Sequence, residues 1–68
     1  YQLAASSLKD AVEKSPNDPS IHYHLGLTYQ KLGEQARAKL ELERALQLNP
    51  KFKDAAAARQ ALGEVGKG

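Results

Sequence analysis

Apolar residues recur at helical spacing in separate stretches of the chain. In the first stretch, Ala4, Leu8, Ala11 and Val12 share one side of a helix with 3.6 residues per turn. The second stretch has Ile21, Leu25, Tyr29 and Leu32, with His22 and Gly26 on the same side. The third has Ala38, Leu42, Ala45 and Leu46. A fourth, from Lys53 to Val65, is rich in Ala and polar residues. Two proline-centred segments, Ser15-Pro16-Asn17-Asp18-Pro19 and Asn49-Pro50, separate them. Proline lacks the amide hydrogen a helix interior needs, and it biases the preceding residue away from helical torsions. Gly33, just past the second stripe, reads as a helix C-cap, while Asp18 and Pro19 suit the cap and first residue of the second helix. The pattern predicts four helices at about 1–15, 19–32, 34–48 and 53–65. Connections this short force neighbouring helices to pack antiparallel. With two Val, one Ile and one Thr in the whole chain, no alternating β-branched run exists, and the expected fold class is all-α. Asp10 with Lys14, and Lys39 with Glu43, stand four residues apart and are expected to pair on helix surfaces.

The stripes also repeat. Ala4, Leu8, Ala11 and Pro16 recur as Ala38, Leu42, Ala45 and Pro50 at a constant offset of 34, although Tyr1 and Gln35 do not match. A fixed period of this length is the signature of a stacked supersecondary unit. Gly26 refines the picture. A glycine in mid-helix costs about 1 kcal/mol against alanine, and its place on the apolar stripe predicts a close approach of the second and third helices, at Ala38 or Ala45.

Composition narrows the function classes. A chain of 68 residues makes one small domain, and with 41% apolar residues, eleven of all residues being Ala, its core is small and closely packed. Without Cys there is no disulfide scaffold, thiolate metal site or Cys nucleophile. No apolar run approaches the roughly 18 residues of a membrane span, and the first residues lack the order of a signal peptide. A chain that opens on Tyr1 and contains no Met reads as a fragment or processed product. The net charge of +2 is too small to point to nucleic acid, and the Lys and Arg residues are spread over all four helices and interleaved with acids along the chain.

The residues Leu25-Gly26-x-x-Tyr29, followed by Ala38, Leu42, Ala45 and Pro50, resemble the tetratricopeptide repeat. His22 stands where that family usually has Trp, and Leu42 where it usually has Phe. The resemblance implies antiparallel helix–turn–helix units stacked as a short right-handed solenoid. It divides the chain into the second half of a repeat at 1–18, a complete repeat at 19–52, and a capping helix with a frayed tail at 53–68. Tyr1 falls where the family often has an aromatic residue. Gly63, Gly66 and Gly68 are expected to fray. The family also implies protein–protein interaction along a concave wall lined by the first helix of each repeat, here the second and fourth helices.

Catalysis finds little support in the sequence. His22 and His24 lie about 200° apart on a helix and cannot share a metal. His22, on the apolar stripe, is expected to be a core histidine. Ser6, Ser7 and Ser20 have no His and carboxylate partners that the sequence can place near them, and the glycines form no phosphate loop. No catalytic residue, metal or cofactor is expected. On the expected concave wall, the second helix presents Tyr23, Leu27, Gln30 and Lys31, with His24 and Ser20 at the edge; Tyr23, Leu27 and Gln30 fall within about 60° of each other. The fourth helix contributes Ala57, Ala58, Ala61 and Glu64. Tyr23 and Leu27 either anchor a peptide or partner helix, or simply pack on flanking helices; the sequence admits both. The Lys, Asn and Arg clamp that some members use for a chaperone carboxylate is missing, since the matching positions hold Tyr23, His24, Leu27, Ala57 and Ala58. The alternative function is structural: an array-terminal cap, or a homo-oligomer formed through the side of Leu3, Leu8 and Val12 on the first helix, with no independent ligand.

Overall fold

A computed structural model of the protein describes residues 2–67, and the side chains of 2–65. The expectations placed on Tyr1 and Gly68 lie outside the described residues. Four helices follow one another: α1 (Gln2–Lys14), α2 (Pro19–Lys31), α3 (Gln35–Leu48) and α4 (Ala55–Lys67). Among the described residues there is no strand.

Local chemistry sets the boundaries. Asp18 is extended, and its Oδ1 accepts the Ser20 amide at 2.9 Å, so α2 begins on Pro19 with one of its orphan amides satisfied. At the other end of α2, Gly33 takes φ +80, its amide donates to the Gln30 carbonyl at 3.1 Å, and the Glu34 amide donates to the Tyr29 carbonyl at 2.9 Å. This is a glycine-terminated Schellman cap, which reverses the chain between α2 and α3. Glu34 is not helical (φ −91, ψ 75), so α3 starts one residue later than the stripe predicts.

The connection to α4 departs more from expectation. The Lys51 amide donates to Asn49 Oδ1 at 3.0 Å, and the Phe52 amide to the Asn49 carbonyl at 3.2 Å. That tight turn consumes Lys53 and Asp54, buries Phe52, and delays the helix to Ala55. The far end also shifts. Gly63 lies inside α4 rather than in a frayed tail, because Val65 beyond it is buried and anchors the last turn.

The core forms where the stripes meet. Ala38, Leu42 and Ala45 on α3 are fully buried, with α2 packed on one side and α4 on the other. The α2–α3 contact is close enough that a Cβ at Gly26 would stand 2.8 Å from Leu42 Cγ and 3.2 Å from the Ala38 carbonyl oxygen. The expected close approach therefore falls on Ala38 and Leu42, not Ala45. Helix α4 lays Ala55, Ala58, Ala61 and Val65 inward. Above Tyr29, Lys9 Nζ and the Arg37 guanidinium stand 6.0 and 5.8 Å from the ring centroid, closing the α1–α2–α3 junction with cations over the aromatic face.

Helix α1 corrects one expectation. Its buried residue is Ala5, while Ala4 is exposed and Leu8, Ala11 and Val12 are half-buried. Ala38, 34 residues after Ala4, is covered by α2, and no described helix takes that place over α1. The stripe identified by repeat is thus partly bare, and α1 packs through the side that meets α2. The charged side-chain contacts differ too, one of them being internal. Among the described residues the pairs formed are His22–Glu41 and Arg37–Glu34, at 2.6 and 3.4 Å, rather than Asp10–Lys14 or Lys39–Glu43.

Candidate protein-binding cleft

Helices α2 and α4 both rest on α3, and a cleft of about 580 Å³ opens between them. Tyr23, Leu27, Gln30 and Lys31 line it from α2; Ala57, Gln60, Ala61 and Glu64 line it from α4. Three of these pairs, Tyr23 with Ala57, Leu27 with Ala61 and Gln30 with Glu64, stand 34 residues apart. Equivalent positions in successive units thus face one space. The two walls differ in size: α2 offers an aromatic and an aliphatic side chain, and α4 offers methyl groups.

Tyr23 and Leu27 are half-buried and pack against the core while bordering the cleft. Of the two placements the sequence left open, packing on the neighbouring helices is thus present, and part of each side chain also borders the cleft. The Tyr23 ring is steadied by Phe52, edge to face at 6.0 Å and 65°, and by His24 at 5.3 Å. Such support gives the wall a fixed aromatic surface at little further entropy cost. At the C-terminal ends of both helices the surface turns polar, where Gln30 Nε2 donates to Glu64 Oε2 at 3.4 Å beside Lys31.

Most of the residues expected on this wall come together, with three exceptions, the first being Ser20, which sits in the first turn of α2 with its amide on Asp18 Oδ1 and does not line the cleft. His24 is exposed and does not line the cleft; its ring lies against Tyr23, outside the opening. Ala58 points away, fully buried against α3. Sequence reasoning missed Gln60. Helical spacing held the signal, because Gln60 is three residues after Ala57 and four before Glu64, so it belongs to the same face.

A second polar arrangement is internal. The His22 side chain is 2% exposed, as expected of a core histidine. Its Nε2 donates to the Pro16 carbonyl at 2.8 Å, since a backbone carbonyl only accepts. On the other side of the ring Nδ1 lies 2.6 Å from Glu41 Oε1. One side chain thereby ties the α1–α2 loop, α2 and α3 together. Both nitrogens are engaged, so the ring offers nothing to the smaller cavity of about 230 Å³ beside it, lined by Val12, Arg44 and Leu48 among others. Among the described residues no group of three or more His, Asp or Glu side chains is placed to hold a metal ion, and no helix is long and apolar enough to cross a membrane.

Paired antiparallel helices stacked at a 34-residue period, with an open cleft between alternate helices, define a helical-repeat protein. Profile comparison places it more closely. The profile described as TPR repeat matches residues 1–33, and the profile described as Tetratricopeptide repeat matches residues 19–52. The chain belongs to the tetratricopeptide repeat family, whose members are generally protein–protein interaction modules. Comparison with the curated proteins and with the solved structures gives no match.

Proposed function

We propose that the protein binds a peptide or helical segment of a partner protein in the cleft between α2 and α4, and that it performs no catalysis of its own. The observation that supports this most is the convergence of Tyr23 and Leu27 with Gln30, Gln60 and Glu64 on one open space. A fixed aromatic and aliphatic surface ringed by amides and charges is the composition that protein-recognition sites use. In this reading residues 19–52 form the complete repeat, residues 1–18 the second half of another, and α4 a cap. The cap assignment draws on the face of α4 equivalent to the buried face of α2: Leu25, Gly26 and Tyr29 become Arg59, Gln60 and Gly63, all exposed. A side chain at position 60 bars the close approach that Gly26 permits.

The test is a selection of displayed random peptides on the protein, followed by Leu27→Glu. Selected peptides are expected to lose at least tenfold in affinity for the variant while its far-ultraviolet circular dichroism stays helical. Peptides that bind the variant as well as the parent overturn the assignment of the cleft.

A second reading rests on α1. Leu3 is 86% exposed and Ala4 is bare, whereas Ala38, one repeat later, is fully covered. An apolar helix face of this kind favours pairing with a second copy.

A further inference from the structure

We infer that the cleft accepts a bulky apolar side chain from the interior of an extended peptide, with Ala57 and Ala61 setting that preference. The inference rests on the cleft reading above and names the chemistry of its occupant. Its first support is the difference between the walls. At equivalent positions 34 residues apart, Tyr23 and Leu27 stand opposite Ala57 and Ala61. Had α4 repeated the side chains of α2, much of the space would be filled. The methyl-sized wall leaves about 580 Å³ open against an aromatic ring held by Phe52. An apolar side chain entering there meets Tyr23, Leu27 and both alanines at once.

Charge decides which part of a peptide brings that side chain. Lys31 and Glu64 line the same cleft, and they carry opposite charges. A free carboxylate drawn by Lys31 also meets Glu64, and an ammonium drawn by Glu64 also meets Lys31. Neither chain terminus is favoured by such a balanced pair. Gln30 and Gln60, one on each wall, offer carboxamides that both donate and accept, which matches the N–H and C=O of a neutral backbone. The weak Gln30–Glu64 contact, 3.4 Å long and exposed, leaves the Gln30 amide available for exchange onto a ligand.

The probes are acetyl-Gly-Gly-Leu-Gly-Gly-amide, the same peptide with Ala in place of Leu, and the Leu peptide with a free carboxylate. Amide chemical shifts of the labelled protein report both affinity and site. The Leu peptide is expected to bind about tenfold more tightly than the Ala peptide, for on the order of 60 Å² of extra apolar surface leaving water. Shifts are expected at Leu27, Gln30, Ala57 and Gln60, and the free carboxylate should change affinity by less than about threefold. Ala57→Leu, at an exposed helix position, should keep the fold and remove the preference for Leu. Equal binding of the Leu and Ala peptides, with shifts still in the cleft, overturns the side-chain socket and leaves the cleft as a binding site. An unchanged Leu preference in Ala57→Leu overturns the role of Ala57. Much tighter binding of the free carboxylate overturns the interior-segment assignment. Absence of cleft shifts with every probe, beside displayed peptides that do bind there, overturns the socket alone; absence with both overturns the cleft reading as well.

Discussion

Two glycines in helix interiors, Gly26 in α2 and Gly63 in α4, allow the packing argument to be tested against its own control. Replacing either by alanine removes the same propensity penalty, about 1 kcal/mol. At Gly63 nothing lies within 4 Å of the new methyl group, so Gly63→Ala is expected to stabilise by about 0.5–1 kcal/mol. At Gly26 the methyl arrives 2.8 Å from Leu42 Cγ and 3.0 Å from its Cδ2, with the Ala38 carbonyl oxygen at 3.2 Å. Leu42 is fully buried and its Cγ is not a free end, so it has no open space to swing into. Overpacking of this kind costs about 1–3 kcal/mol. Because propensity cancels between the two variants, the difference in their stabilities isolates that cost. For a domain of this size each kcal/mol moves the melting temperature by about 4–8 °C, so the two Gly→Ala proteins should melt well apart, Gly63→Ala above the parent and Gly26→Ala below Gly63→Ala. Thermal and urea unfolding followed by circular dichroism at 222 nm measures both. Gly26→Leu should lose more still. If Gly26→Ala rises as far as Gly63→Ala, the helices do not meet closely at Leu42 and the account of α2 on α3 is wrong.

Other perturbations test the remaining contacts. His22→Ala leaves the Glu41 carboxylate, whose side chain is 12% exposed, without its partner, and a double-mutant cycle with Glu41→Ala should return a coupling of about 1–3 kcal/mol in urea unfolding; a coupling near zero would show that the short contact contributes nothing to folding. Asp18→Ala removes the side-chain cap of α2 and should cost about 1 kcal/mol, with Asp18→Asn recovering most of it in the same unfolding assay. Sedimentation over a concentration series should show association through α1, and Leu3→Glu should return the protein to monomer with stability changed by less than about 0.5 kcal/mol; a parent protein that sediments as monomer throughout rejects the self-association reading.

How much could be read without coordinates varies by element. The Asp18-Pro19 start and the Gly33 stop were plain, because caps are local and depend on a few adjacent residues. The delayed start of α4 was not, since the Asn49 turn competes with helix for Lys53 and Asp54 and wins only once Phe52 has a buried place beside Tyr23. Within the cleft, α2's contribution followed from its helical face, whereas Gln60 went unseen because repeat matching pairs it with the buried Gly26 and so draws attention away from its exposed surroundings.

Periodicity and punctuation alone determined that this protein is four antiparallel helices with a 34-residue unit, since amphipathic spacing and proline or glycine breaks are properties of the chain itself. Tertiary structure decided which members of each stripe are covered. Ala4 and Ala38 are the same residue in the same register, yet one is bare and the other sealed, because burial depends on the neighbouring helix and not on the residue. The partnership of His22 with Glu41, 19 positions apart, and the opening between α2 and α4 were likewise decided in three dimensions: they exist only where packing on α3 fixes the distance between groups that the sequence keeps apart.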